Sequence, residues 1–172
     1  SPKSGNSLAK DIPDSKKRKR KSFCIILFRV IIITNYINKY YSPMLTHIDK
    51  DGNAKMVDIS KKNNSNRVAI AYGFIELNNA TIDLIKVGNL KKGDVLTVAK
   101  IAGIQASKKT SSLIPLCHNI NLDSINIEFR ISNKENKIYC QSTVGCSGKT
   151  GVEMEALTAV SIALLTIYDM CK

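Results

Sequence analysis

The sequence predicts an α+β domain in which an antiparallel sheet carries helices on one face. Residues 124–131 and 137–144 alternate apolar and polar side chains on either side of a short polar turn, which is typical of a β-hairpin. Residues 67–76 alternate well enough to form a further strand. Two long apolar segments, 95–106 and 152–172, have the composition of helices that would cover such a sheet.

Shorter elements precede and connect these segments. Residues 56–60 are consistent with a short strand before the polar loop 61–66, and residues 80–87 are consistent with a short helix. Gly88-Asn89 then marks a turn, because glycine accepts backbone conformations that other residues avoid.

The helix over residues 95–106 has a clear start and a clear stop. Asp94 is a good N-cap, since its carboxylate accepts hydrogen bonds from the free N–H groups of the first turn. Pro115 ends the helical pattern. The three-four spacing of a helix face is followed by Val98, Ile101, Ala102 and Gln105.

The first 43 residues differ in composition from the rest. We expect residues 1–43 to be a basic and apolar leader or linker outside the fold, and residues 44–172 to form the domain. Residues 23–37 are strongly apolar, but they are shorter than the ~20 residues that a membrane-spanning helix needs. Arg29 also interrupts them, so no membrane partner is expected.

The charge of the chain is strongly positive, with a net value of +12. Residues 1–22 hold eight Lys/Arg against two acids and so supply +6 of it. The basic run 16–21 suits either a nuclear-import or nucleic-acid patch or a solvated tail, and composition leaves both open. The other +6 falls on residues 23–172, which indicates an anionic small-molecule or nucleic-acid partner.

The cysteine and histidine content argues against a disulfide framework or a metal site. The two histidines are His47 and His118, too few for a zinc site of ordinary composition. The cysteines are odd in number and form no Cys-x-x-Cys pair, which favours free thiols in a reducing compartment. They are Cys24, Cys117, Cys140, Cys146 and Cys171. No metal and no cofactor are expected.

Two local motifs invite a catalytic interpretation. Gly148-Lys149-Thr150 resembles the end of a phosphate-binding loop, but Thr143 stands where that loop needs its first glycine. A helix N-terminus beside a lysine still favours phosphate. Cys117-His118 suggests a thiolate–imidazole pair, but adjacent residues in an extended segment point to opposite sides.

The charged residues of the last helix have ordinary explanations when taken alone. Glu153 and Glu155 suit the first turn of a helix because of its dipole. Asp169 and Lys172 are three residues apart and suit an ion pair at the helix end. Composition alone favours these explanations over catalysis.

Several motifs within residues 44–172 are most informative when they are taken together. The most specific is Gly-x-Thr-Gly-Val-Glu-Met-Glu-Ala-Leu-Thr at residues 148–158. The others are the segments 45–49, 56–58, 91–94, 101–106, 113–118 and 168–172. In this order and without large gaps, they resemble the MoaC family of molybdenum cofactor biosynthesis, the cyclic pyranopterin monophosphate synthases.

The resemblance implies a ferredoxin-like α+β fold in a dimer that assembles into a homohexamer, with the site at a subunit interface. It implies a lyase that converts 3',8-cyclo-7,8-dihydroguanosine 5'-triphosphate, a GTP-derived substrate, into the pterin cyclic pyranopterin monophosphate with release of pyrophosphate. A fused or partner radical enzyme would perform the preceding step. The implied location is the mitochondrial matrix in a eukaryote and the cytoplasm otherwise.

The family's site residues carry over by motif position. The catalytic residues would be Lys92, Asp169 and Lys172. The substrate-binding residues would be Leu116, Cys117, His118, Glu153, Met154, Glu155, Lys108 and Arg67. Such a set suits the chemistry, because a triphosphate needs several cations and a ring rearrangement needs groups that move protons.

Two alternatives stay open from the sequence. The family continues past the Asp-Met-Cys-Lys motif with a further strand and a Gly/Lys/Ser-rich tail, whereas this sequence stops at Lys172. One alternative is therefore a homologue with a truncated domain, which assembles but does not catalyse. A nucleic-acid-binding module is the other, although residues 44–172 contain no known nucleic-acid motif and only the basic tail favours it.

Overall fold

A four-stranded antiparallel sheet organises the fold in the computed structural model, which describes residues 26–30, 47–88 and 93–172. The strands are β1 (Ile26–Val30), β2 (Ser65–Glu76), β3 (Ser124–Ser132) and β4 (Lys137–Gly148). Their order across the sheet is β1-β2-β4-β3. Twelve residue pairs join β2 to β4, from Ser65 opposite Gly148 to Glu76 opposite Lys137, so this pair is the centre of the sheet.

The predicted β-hairpin is confirmed. Ser132 lies opposite Lys137 at the closed end of β3 and β4, and residues 133–136 make the turn. Asn136 has a φ of 56°, a left-handed conformation that asparagine tolerates better than most residues.

The helices are α1 (Asn79–Val87), α2 (Val95–Lys108), α3 (Thr110–Leu113) and α4 (Glu153–Cys171). The predicted N-cap of α2 is confirmed, because the Asp94 carboxylate accepts hydrogen bonds from the N–H groups of Leu96 and Thr97, both at 3.1 Å. Gly88 ends α1 with a φ of 70°, as a glycine C-cap does. The single turn α3 was not predicted.

The helices α2 and α4 pack closely through small residues. The buried side of α2 carries Ala99, Gly103 and Ala106, whereas Val98 and Ile101 are about half exposed. The helix face predicted from the sequence, which includes Val98 and Ile101, is therefore not the face that is buried. A helix crossing at close range needs small side chains at the contact, so size rather than hydropathy selects the face.

Gly103 lies at a close approach between these helices. A Cβ added there would lie 2.9 Å from the backbone oxygen of Ala159 and 2.5 Å from Cδ1 of Ile127. We therefore expect Gly103→Ala to lower the free energy of unfolding by about 1–3 kcal/mol, because the backbone of α4 must shift. Urea denaturation would measure it. Gln105→Ala, at an exposed position of α2, is the control and should leave the stability nearly unchanged. Equal stability of both variants would contradict this packing.

The α+β class is confirmed, with α2 and α4 on one face of the sheet. In chain order β2, α2, β3, β4 and α4 alternate as strand, helix, strand, strand, helix, and β4 lies between β2 and β3. This arrangement agrees with the ferredoxin-like topology that the resemblance implies. The core lies between sheet and helices and includes the fully buried Ile75, Ile127, Ile138, Leu164 and Ile167.

The structure differs from the sequence predictions in two further places. Residues 56–60 form neither strand nor helix, so the strand predicted there is wrong. Residues 26–30 form β1, which pairs with β2 from Ile26 opposite Ile75 to Val30 opposite Ala71, whereas the whole of 1–43 was expected outside the fold. Pairing at this edge satisfies backbone groups of β2 that would otherwise be exposed. The rest of 1–43 lies outside the described residues.

One helix among the described residues, α4, is long and apolar enough to cross a membrane by length and composition. Its residues Ala156, Ala159, Val160, Ala163 and Leu164 are buried in the core. The same composition is expected of the core helix of a globular domain.

Candidate active site

A cavity of about 290 Å³ opens at the N-terminal end of α4 and is enclosed by three walls. The helix wall consists of residues 150–155, the loop wall of residues 116–120, and the N-terminal wall of residues 47–62. The side chains that line the cavity are His47, Val57, Ile59, Lys62, Leu116, Cys117, His118, Ile120, Thr150, Gly151, Glu153, Met154 and Glu155. Charged and apolar side chains thus share one small space.

The helix wall brings two carboxyl groups to the first turn of α4. Val152 makes no side-chain cap, so the first N–H groups of the helix keep their attraction for negative charge. The Glu153 carboxylate folds back over Gly151, where a Cβ would overlap it. Glu155 points inward and its residue is only 4% exposed.

The buried position of Glu155 changes its acidity. Burial raises the pKa of this carboxyl, and the nearby Glu153 carboxylate raises it further, while its own backbone N–H opposes both. A carboxyl of this kind is easier to protonate than an exposed one. It can therefore donate as well as accept a hydrogen bond within the cavity.

The raised pKa of Glu155 predicts a pH-dependent stability. Because the folded state binds this proton more tightly than the unfolded state, burying Glu155 costs stability once the pH rises above the ordinary pKa of glutamate. We expect Glu155→Gln to be more stable than the parent chain near pH 7, with a difference that shrinks as the solution is acidified towards pH 4. Urea denaturation across this pH range would measure it. Glu128→Gln, at an exposed position of β3, serves as the control. A pH-independent difference would contradict the assignment.

The loop wall follows α3, and backbone hydrogen bonds shape it. The N–H of Ile114 donates to the Thr110 carbonyl at 2.8 Å, and that of Cys117 donates to the Ile114 carbonyl at 3.1 Å. These bonds direct Cys117 towards the cavity. Burial raises the pKa of the Cys117 thiol, and the negative charge of Glu155 adds to the effect, so the thiol is protonated at neutral pH.

His118 is held by the backbone of the N-terminal wall. Its Nε2 lies 2.8 Å from the carbonyl oxygen of Val57. A carbonyl oxygen only accepts, so Nε2 carries the hydrogen and donates it. In the neutral ring the proton-accepting atom is then Nδ1. The Val57 carbonyl therefore fixes the tautomer of the neutral His118 ring.

Sequence reasoning missed the basic residues of the N-terminal wall. Lys62 and His47 both line the cavity, and the Lys62 ammonium adds positive charge to the space that the two carboxyl groups share. Val57 and Ile59 add apolar surface and are half-buried. His47 and Val57 belong to segments that resemble the family, but Lys62 falls in a stretch that looks like an ordinary polar loop.

Two other predicted site residues that the structure describes, Arg67 and Lys108, are not among the residues that line the cavity. Arg67, on β2, lies opposite Cys146 on β4 and is half-buried, and its Nε is buried without a hydrogen-bond partner among the described residues. Lys108 is exposed at the end of α2. Lys92 lies outside the described residues.

Asp169 and Lys172 lie at the opposite end of α4 from the cavity. The Lys172 ammonium is 2.5 Å from a carboxylate oxygen of Asp169, and the two side chains are 57% and 60% exposed. The hydrogen bond to Asp169 and the charge of Asp169 raise the pKa of Lys172. Fourteen residues separate Glu155 from Asp169, which is about 21 Å along a helix. Within one chain, the cavity residues and the Asp169–Lys172 pair therefore form two separate clusters.

Among the residues that the structure describes, no group of three or more His, Cys, Asp or Glu side chains is placed to hold a metal ion. The cavity offers imidazole, ammonium and carboxyl groups instead. Fold and cavity together define an α+β protein with a candidate binding site for a small polar molecule at a helix N-terminus.

Comparison with known proteins specifies the family. The family model described as "MoaC family" matches residues 56–172, which include all three cavity walls except the first residues of the N-terminal wall. The chain belongs to the MoaC family.

Curated relatives agree with this assignment. A cyclic pyranopterin monophosphate synthase of Clostridium perfringens is 56% identical over 128 residues, which cover 74% of this chain and 81% of the relative. One of Novosphingobium aromaticivorans is also 56% identical and is covered to 80%. The molybdenum cofactor biosynthesis protein moc-5 of Caenorhabditis elegans is 52% identical over 139 residues, and the chain spans 23% of its length.

Proposed function

We propose that this chain acts as a cyclic pyranopterin monophosphate synthase in molybdenum cofactor biosynthesis. As such it is a lyase that converts 3',8-cyclo-7,8-dihydroguanosine 5'-triphosphate into cyclic pyranopterin monophosphate and releases pyrophosphate. The observation that carries the proposal is the cavity at the N-terminus of α4, because it gathers residues of three separate family motifs around one small space.

The charges of the cavity suit a nucleotide-derived substrate. Lys62 and His47, together with the free N–H groups of the α4 terminus, favour phosphate oxygens, whereas Nδ1 of the neutral His118 ring can accept a hydrogen bond from the substrate. Glu155 and Glu153 favour the N–H groups of a guanine-derived ring, because carboxyl oxygens accept hydrogen bonds from them. The half-buried Leu116 and the Met154 side chain supply apolar contact for the ring faces.

We assign proton transfer to Lys92, Lys172 and Asp169. Asp169 and Lys172 form a coupled pair in contact with each other, and Lys92 is the further catalytic lysine by motif position. A pair of this kind can pass a proton to or from a ring atom of the substrate. Arg67 and Lys108 would add positive charge around the triphosphate.

The site is proposed to lie at a subunit interface. Glu155 and Asp169 are too far apart along α4 to meet at one reacting centre in the same chain. In a two-fold dimer, antiparallel α4 helices place the Glu155 end of one chain beside the Asp169 end of its partner. Three such dimers would assemble into a homohexamer. The substrate would come from a radical enzyme acting before this one.

Incubation of the purified chain with 3',8-cyclo-7,8-dihydroguanosine 5'-triphosphate tests the function directly. Equal amounts of pyrophosphate and cyclic pyranopterin monophosphate are expected, measured by a coupled phosphate assay and by chromatography of the pterin. Glu155→Ala serves as the inactive control. Assembly without either product would favour a homologue that does not catalyse.

A further inference from the structure

The N-terminal wall has little structure of its own to hold it against the cavity. Residues 55–59 form neither helix nor strand. The backbone hydrogen bonds described for residues 47–62 all close within the wall, such as Lys55 N–H to the His47 carbonyl at 2.9 Å and Lys62 N–H to the Ile59 carbonyl at 3.1 Å. The wall therefore depends on other contacts for its position.

Two side chains bond this wall to the rest of the described protein, and both donate to backbone carbonyls. His118, from the loop wall, donates to the carbonyl of Val57 at 2.8 Å. The Lys149 ammonium donates to the carbonyl of Ser60 at 2.9 Å. The two acceptors flank Ile59, which lines the cavity, and Lys62, which also lines it, follows two residues after Ser60.

Lys149 is well placed to hold the N-terminal wall in position. It lies in the turn between β4 and α4, directly before Thr150 and Gly151 of the helix wall. It is half-buried, and its charge lowers the pKa of Asp58, behind stronger effects from Ser60 and Lys55, so the ammonium sits near a carboxylate of the same wall. A single residue thus bridges the two walls that carry Lys62 on one side and Glu153 and Glu155 on the other.

We propose that Lys149 is a positioning residue for substrate binding, which fastens the N-terminal wall through the Ser60 carbonyl and so holds Ile59 and Lys62 at the cavity. It does not line the cavity and does not touch the reacting atoms. Because the acceptor is a backbone carbonyl, the fastening depends on the lysine and is independent of the side chain at residue 60. This inference rests on the proposed function for its kinetic consequence, but its structural part stands alone.

Lys149→Met tests the structural part, since methionine keeps the approximate shape of the stem and removes the donor. We expect the backbone amides of Ser60 and Lys62, which donate to the Asp58 carboxylate and the Ile59 carbonyl, to exchange with deuterium about fivefold faster in this variant, as loss of one charged hydrogen bond would allow. Exchange in β3 should be unchanged. Lys149→Arg should restore the slow exchange, and Lys86→Met, at an exposed position of α1, should have no effect.

The kinetic part uses the same variants with the cyclised GTP derivative. A loosened wall should raise KM about fivefold or more, with a smaller effect on kcat, because Lys62 and Ile59 act in binding. Unchanged exchange of the Ser60 and Lys62 amides would overturn the proposal. So would faster exchange that is equal in β3, since it would show a general loss of stability. If the parent chain has no turnover, the proposed function fails. The exchange experiment still tests whether Lys149 holds the N-terminal wall in position.

Discussion

Lys172→Ala is expected to lower kcat at least about a hundredfold while leaving the thermal midpoint nearly unchanged. The large effect follows from the proposed role of Lys172 in proton transfer with Asp169. The small effect on folding follows from its position, because the side chain is 57% exposed and its ion pair with Asp169 is a surface pair. Turnover and thermal denaturation of the same preparation would measure both.

The direction of the pKa shift predicts which way the proton moves. Asp169 raises the pKa of Lys172, so the ammonium is protonated through neutral pH and would act as a proton donor in the proposed reaction. Activity should then fall on the alkaline side as Lys172 loses its proton. Asp169→Asn removes the cause of the raised pKa, so this alkaline limb should move to lower pH. A profile of kcat against pH for both proteins would measure the shift.

Two control variants separate catalysis from a change of charge. Lys100→Ala removes a positive charge from an exposed position of α2 and should keep parent turnover. Lys172→Arg keeps the ion pair but hardly gives up its proton, so it should fold normally and remain slow. Parent turnover in Lys172→Ala would remove Lys172 from the catalytic residues.

The parts of the fold that depend on neighbouring residues were predictable from the sequence. The β3–β4 hairpin follows from strict alternation on both sides of a polar turn, and Asp94 caps α2 as its side chain allows. The buried face of α2 was not predictable in this way. It is chosen by the close approach of Gly103 to the Ala159 carbonyl, a contact between residues far apart in the chain.

The same distinction applies to the candidate site. Motif resemblance located His118 and Glu155, and the structure brings both to one cavity. Lys62 was not predicted because a lysine in a polar loop carries no local pattern, and only the fold brings it to the cavity that Glu155 also lines. The buried state of Glu155 was likewise unpredictable, since acids in a first helical turn are usually exposed to solvent.

The distance between Glu155 and Asp169 predicts a second large effect. Two inactive variants should regain activity when they are mixed. Glu155 and Asp169 lie about 21 Å apart along α4 and within about 40° of the same helix face. Each of Glu155→Ala and Asp169→Ala should be inactive alone. If each pocket takes Glu155 from one chain and Asp169 from its partner, one pocket of every mixed dimer collects both intact residues.

Mixing the two inactive proteins in equal amounts should therefore restore about a quarter of the parent activity, because half of the dimers are mixed and one of their two pockets is intact. Mass spectrometry should verify that subunits have exchanged, and each variant incubated alone provides the baseline. Glu155→Ala mixed with Glu155→Gln is a further control, since no pocket in that mixture regains a glutamate. Continued inactivity after verified exchange would place Glu155 and Asp169 in a pocket of one chain, where an extended substrate would have to reach along the whole of α4.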